Sequence, residues 1–210
     1  TPETLEESFQ VMEETINSIR EADPDTPIVI AYDSIAVSPS KAEYDAENYD
    51  GNNMQGAIRA KATGACLRKI NPLMRKHKVA LVVINQIRSK VGVMYGNPET
   101  MAAGGKSLDY YLGVNLKCIS NKTADLVRDD NKQVIGITGT VRNTKNKVSI
   151  PFRECEFELM YDEGLNACAG MLKQLVLDNI VDQSGAWYSW NGVKFQRKEF
   201  DNSFSSGEKF

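Results

Sequence analysis

Acid is missing from one long stretch of this chain. Residues 51–98 contain no Asp and no Glu, yet nine Lys and Arg stand there. The whole chain has 25 basic and 28 acidic side chains, so the other 162 residues hold 16 basic and 28 acidic ones. A purely cationic window in an acidic protein points to an anionic partner. Histidine is nearly absent as well. His77 is the only one, which argues against a zinc centre and against a Ser-His-Asp triad. The four cysteines, Cys66, Cys118, Cys155 and Cys168, form no Cys-x-x-Cys pair, so they read as reduced, packed residues. No apolar run approaches the roughly 18–20 residues that cross a bilayer. No leader peptide is visible, and a cytoplasmic protein without a membrane partner is expected.

What is present is average for a soluble globular protein, 210 residues, 41% hydrophobic and 25% charged, and the helix–strand alternation set out below is that of an α/β fold. That size predicts one domain with a small appendage, a core over 1–183 and a hairpin region over 184–210. Thr1-Pro2 predicts a helix start, and Leu5, Phe9, Met12, Ile16 and Ile19 fall on one face of that helix. Asp23-Pro24-Asp25 ends it. Residues 28–36 and 79–84 are nearly continuous apolar runs, the pattern of parallel strands buried on both faces. Residues 38–53 read as a loop. A helix is predicted over 54–76, with Ile58, Ala62, Ala65, Ile70 and Leu73 on its apolar side and Pro72 as a point of kinking. Residues 111–120, 134–143 and 155–160 alternate like half-buried strands, suggesting an antiparallel or mixed extension of the sheet. A helix over 165–181 follows, then a hairpin turning at Asn191-Gly192, then a frayed end over 200–210.

Four features carry chemistry. Ile28-Val29-Ile30-Ala31-Tyr32-Asp33-Ser34 is an apolar strand ending in Asp, the placement by which nucleotide hydrolases hold Mg²⁺. An Asp that merely opens a turn fits the same residues. Gly104-Gly105-Lys106-Ser107 imitates the end of a phosphate loop, but the full motif needs a Gly where Thr100 stands, so it is rejected. Lys145 and Lys147, two apart on extended chain, would point the same way about 6.5–7 Å apart, which suits a phosphate and equally a solvated basic turn. The helix over 54–76 carries Arg59, Lys61, Arg68, Lys69, Arg75 and Lys76 without one acid, so its cations are expected to be solvated or to face a polyanion. Met94 and Tyr95, in the loop after the second apolar strand, suit stacking on or wedging between nucleobases, or else fold back onto the core.

Several dispersed segments occur in one order. They are Asn85-Gln86-Ile87-Arg88, then Gly92-Val93-Met94-Tyr95-Gly96-Asn97-Pro98-Glu99-Thr100, then Gly104-Gly105, Lys145-Asn146-Lys147 with Pro151-Phe152, Tyr161 with Glu163-Gly164, and Gly185-Ala186-Trp187-Tyr188-Ser189. In this order they resemble the RecA/UvsX family of DNA strand-exchange recombinases over residues 27–195, with Arg59-Ala60-Lys61 suggesting a phage-type member.

That resemblance implies a RecA-like P-loop ATPase core: a mostly parallel sheet with an antiparallel extension and helices on both faces. It implies ATP and Mg²⁺ as cofactors, single- and double-stranded DNA as partners, and self-association into a helical filament with ATP between subunits. By position, Asp33, followed by Ser34, looks like the Walker B Mg²⁺ residue. Gln86 resembles the glutamine that senses the γ-phosphate and couples it to the DNA loop. Lys145 and Lys147 look like the pair reaching a neighbouring subunit's phosphates, and Tyr161 like the residue flanking the base. Residues 48–55 would be the first DNA loop, longer than usual, and 88–105 the second. Lys61, Arg68, Arg88 and Lys90 would contact DNA, with Met94, Tyr95, Gly96, Asn97, Gly104 and Gly105 along the second loop. Tyr110 resembles the aromatic at the subunit contact. The family's Walker A loop and catalytic glutamate precede the matched region, and its C-terminal domain follows it. The expectation is therefore an N-terminally truncated core, inactive as an ATPase alone. The alternative is a non-enzymatic DNA-binding or split-gene fragment that needs a chain supplying Walker A.

Overall fold

The computed structural model describes residues 2–46, 55–89, 99–101, 105–120 and 125–206. They divide into two compact units, Thr1–Leu112 and Gly113–Phe210.

In the first unit, helix α1 is Leu5–Ala22. It begins three residues later than Thr1-Pro2 predicts, because Thr4 is the cap: its side chain accepts from the Glu7 N–H at 3.2 Å. Thr4-Leu5-Glu6-Glu7 is the Thr-x-x-Glu start signal, and it outweighs the proline. Leu5, Phe9, Met12 and Ile16 are buried, as their spacing predicts. Strand β1 (Ile28–Tyr32) pairs in parallel with β2 (Val79–Val83), register Ile28 to Val79 through Tyr32 to Val83. Between them run a short helix α2 (Lys41–Tyr44) and the long α3 (Gln55–His77). The loop expected over 38–53 thus contains α2, whose Ser40 and Glu43 form a complete capping box. Pro72 lies inside α3, which continues to His77. The buried side of α3 is Thr63, Leu67 and Ile70; Ala65 and Ile58 are exposed instead.

One core unites Leu5, Phe9, Met12 and Ile16 of α1, Ile28 of β1, Ile35 beyond it, Leu67 and Ile70 of α3, and Leu108. It covers one face of the β1–β2 pair. On the other face Val29 is 70% exposed and Val82 53%, where continuous apolar runs predict cover on both sides. After β2 come β3 (Ile87–Ser89) and β4 (Glu99–Met101), an antiparallel pair, and α4 (Gly105–Tyr111).

The second unit holds an antiparallel sheet. Strand β5 (Val114–Ile119) and β6 (Leu126–Arg128) both pair with the long β7 (Val134–Asn146), which pairs with β8 (Glu154–Met160), and that with β9 (Gly164–Asn166). Gly139 faces Phe157 across the β7–β8 register. Helix α5 (Ala167–Leu177) leads to β10 (Asp182–Ser184), β11 (Trp187–Trp190) and β12 (Val193–Gln196), a three-stranded antiparallel sheet. Its hairpin turns at Asn191 and Gly192, both with positive φ (49° and 84°), the requirement of an Asn-Gly turn. The end expected to fray forms α6 (Arg197–Ser206) up to residue 206. Phe195 stacks between Tyr188 (5.8 Å) and Phe200 (6.1 Å) in a second core with Cys168, Leu172 and Val181.

Parallel pairing among the described residues is thus confined to β1–β2, and the other pairings are antiparallel. Cys118 and Cys155 are exposed on the second unit's sheet, unlike the packed cysteines expected; each pairs directly with Val141 across the ladder.

Candidate nucleotide and nucleic-acid interface

Ile84 ties the carboxyl ends of β1 and β2 together. Its N–H donates to the Tyr32 carbonyl at 3.0 Å, and its own carbonyl accepts from the Ile35 N–H at 3.1 Å. Asp33 and Ser34 are the two residues bracketed by those bonds. Asp33 is exposed at the strand end and Ser34 is 8% exposed; the peptide between them is cis. Ligands of open α/β sheets bind at this edge. Tyr32 turns the other way: its ring meets Phe9 edge-on at 6.0 Å, and its hydroxyl lies 2.7 Å from the Ser38 hydroxyl.

Two residues beyond Ile84 stands Gln86, exposed, with its backbone N–H bonded to the Asn85 side-chain oxygen at 2.9 Å. The next residue begins β3. Ile87 pairs with Met101, Arg88 with Thr100 and Ser89 with Glu99. Both roots of the expected second DNA loop are therefore held together, and Arg88 projects exposed from one of them. Lys90, Met94, Tyr95, Gly96, Asn97 and Gly104 lie outside the described residues, as does most of the expected first DNA loop. Gly105 opens α4. The Gly-Lys-Ser sequence thus starts a helix after an antiparallel strand, which agrees with rejecting it as a phosphate loop.

The cations of α3 divide into two groups. Arg59 forks onto Glu43: Nη2 to Oε1 is 2.8 Å and Nε to Oε2 is 3.1 Å, and its Nη1 reaches the Ala36 carbonyl at 3.3 Å. Burial opposes ionisation of Glu43, but the Arg59 guanidinium and the Ser40 hydrogen bonds outweigh it and hold the carboxyl below its usual range. Lys69 pairs with Glu13 at 2.6 Å. These two are balanced by acids from α2 and α1, which corrects the expectation that every cation of this helix is solvated or faces a polyanion. Lys61, Arg68 and Arg75 are all exposed. Seven residues apart, they line one side of the helix, about 10 Å between successive positions. Burial pushes the Cys66 thiol, on the inner side of α3, up to about 11, which leaves it protonated and unreactive at neutral pH. Arg20 secures the end of α3 by donating to the His77 carbonyl at 2.7 Å and the Thr26 carbonyl at 2.6 Å.

In the second unit, Lys145 pairs with Asn115 near the end of β7, and the Lys147 N–H bonds the Gly113 carbonyl at 2.8 Å. The chain between the two lysines is therefore extended, as expected. Tyr161 follows β8, 62% exposed, its N–H donating to the Ile135 carbonyl at 2.9 Å. Among the described residues no three His, Cys, Asp or Glu cluster to hold a metal, and no helix is long and apolar enough to cross a membrane. A lone carboxylate such as Asp33 is nonetheless a sufficient protein ligand for Mg²⁺ that keeps its waters and binds substrate phosphates.

The RecA N-terminal domain family model matches residues 1–166. Protein RecA of Thioalkalivibrio sulfidiphilus is 36% identical over 193 residues, 92% of this chain and 52% of that protein. Protein RecA of Azoarcus is 38% identical over 166 residues, 79% of this chain and 46% of that protein. Protein RecA of Clostridioides difficile is 35% identical over 193 residues. The chain spans about half the length of the curated relatives it matches. With a match across most of its residues, this chain belongs to the RecA family of recombinases.

Proposed function

We propose that the chain is part of a RecA-type recombinase core, spanning about 1–183, that binds single-stranded DNA and ATP at subunit interfaces. Within a helical filament it promotes homologous pairing and strand exchange in recombination and repair. The observation that carries this reading is the Ile84 clasp, which sets Asp33 and Ser34 at the sheet edge; Ile84 itself stands two residues before Gln86, which adjoins the paired roots of the cationic loop. Asp33, beside Ser34, would hold Mg²⁺, whose charge neutralises phosphate oxygens when it is bound. Gln86 would sense the nucleotide; because β3 starts one residue later, its movement passes directly into Arg88 and the DNA loop. Lys61, Arg68 and Arg88 would grip backbone phosphates, Lys145 and Lys147 would reach the phosphates of a neighbouring subunit, and Tyr161 would flank the nucleotide base. Electron microscopy with single-stranded DNA and ATP tests this reading. Helical filaments support it, whereas closed rings would indicate a helicase-like relative.

A second reading has an observation of its own. The bare face of β1–β2, with Val29 and Val82 exposed, leaves apolar sheet uncovered in the first unit. Parallel strands are normally covered on both faces. A separate chain bearing a Walker A loop could cover this face and complete the nucleotide site. Co-purification of such a chain, lost on Val29→Lys, would favour this reading. Filaments formed by the 210 residues alone would exclude it.

A further inference from the structure

Glycine weakens a helix interior relative to alanine, so one placed mid-helix needs a reason. Helix α3 has one there, Gly64, besides Gly56 in its first turn. A Cβ at Gly56 would meet nothing within 4 Å. At Gly64 it would lie 3.2 Å from the Ser107 hydroxyl oxygen, 3.4 Å from the Ser107 Cβ and 3.6 Å from Arg68 Nη1. Three things therefore converge on the space that Gly64 leaves open: its own helix, the first turn of α4, and the guanidinium of a candidate phosphate-binding arginine. Leu108, next to Ser107, is 3% exposed and locks α4 into the core. Helix α4 in turn begins at Gly105, where the second DNA loop is expected to end.

We propose that Gly64 is a positioning residue for DNA binding. Its missing side chain lets α4 seat directly on α3, and that seat fixes the C-terminal root of the DNA loop beside Arg68. A methyl group there presses on the Ser107 hydroxyl at 3.2 Å, so Ser107 must give by a few tenths of an ångström, a shift passed to the loop root and to the adjacent guanidinium while Leu108 keeps α4 in the core. Helix α3 itself gains from the same methyl. The inference rests on the DNA-binding reading above and deepens it.

The test is the affinity of the purified chain for a fluorescent oligothymidine at low salt, measured with thermal melting. Gly64→Ala is expected to melt at the same temperature or higher, yet to bind about tenfold more weakly, the scale of one lost phosphate contact. Ser107→Thr presses on the same space from α4 and is expected to weaken binding with Gly64 intact. Gly64→Ala combined with Ser107→Ala removes the crowding hydroxyl and should restore affinity to within about twofold of the parent. Unchanged binding by Gly64→Ala, a lowered melting temperature for it, or no recovery in the double variant would each overturn the inference. If the parent chain binds no oligothymidine, the DNA-binding reading itself falls.

Discussion

Arg59 of α3 and Glu43 of α2 form a forked ion pair, Nη2 to Oε1 at 2.8 Å, with only 9% of the Glu43 side chain exposed. Glu43 also accepts from the Ser40 N–H at 2.7 Å. One carboxylate thus caps α2 and ties it to α3, and through the Ala36 carbonyl Arg59 also holds the segment that follows Asp33. Replacing Glu43 with Gln leaves the guanidinium without its counter-charge in a half-buried setting. We expect a loss of about 2 kcal/mol of stability, read by urea unfolding. A change below about 0.5 kcal/mol would show the pair to be ornamental.

The same carboxylate sets an acid dependence. Its folded-state pKa lies below its ordinary value of 4.5, so the folded protein binds fewer protons there than the unfolded chain. The stabilisation is present above about pH 4.5 and is lost as pH falls through the lowered pKa. Glu43→Gln should therefore destabilise at pH 7 but converge on the parent as pH falls through that lowered pKa. A gap that stays constant with pH would assign the effect to packing instead.

Gly139 and Phe157 stand opposite each other on β7 and β8, and a Cβ on Gly139 would sit 2.5 Å from the Phe157 ring and 2.9 Å from the Ile119 carbonyl. Neither the ring nor the ladder can retreat without cost. Gly139→Ala should destabilise the chain by about 1–3 kcal/mol by thermal unfolding. Gly139→Ala combined with Phe157→Leu should recover part of that loss, and no recovery would mean that the backbone contact dominates.

Nucleotide turnover should be absent from the 210 residues alone. The sequence holds no complete phosphate loop, and the Gly-Lys-Ser that imitates one begins α4 after Thr100 has paired antiparallel with Arg88. DNA-stimulated ATP hydrolysis by the purified chain, absent from an Asp33→Ala control, would contradict this.

Much of the fold follows from local pattern. The apolar face of α1 and the Asn191-Gly192 turn carry a period and a turn chemistry that one element satisfies, and the runs at 28–32 and 79–83 are short, apolar and rich in β-branched residues, which suits strands. Helix α2 was signalled by Ser40-x-x-Glu43 but is only four residues long, too short for periodicity to register. Helix α4 follows glycines that read as loop. Exposure of one sheet face was not legible, because apolar runs report what a strand can bury and not what covers it. For the candidate site, the positions of Asp33 just after β1 and of Gln86 between β2 and β3 were legible from the apolar runs. The division of the α3 cations was hidden, because the acids that neutralise Arg59 and Lys69 come from Glu43 and Glu13, distant in sequence.

That division supplies the most direct test of the account. The affinity of the chain for single-stranded oligothymidine should be measured across a range of salt concentrations. Log affinity should fall linearly with log salt, and Lys61→Ala, Arg68→Ala and Arg88→Ala should each flatten the slope by about 0.7–1, one phosphate contact apiece. Lys69→Ala, whose ammonium already faces Glu13, should leave the slope unchanged. Equal slopes for all four variants and the parent would contradict the claim that this cationic face is a DNA path.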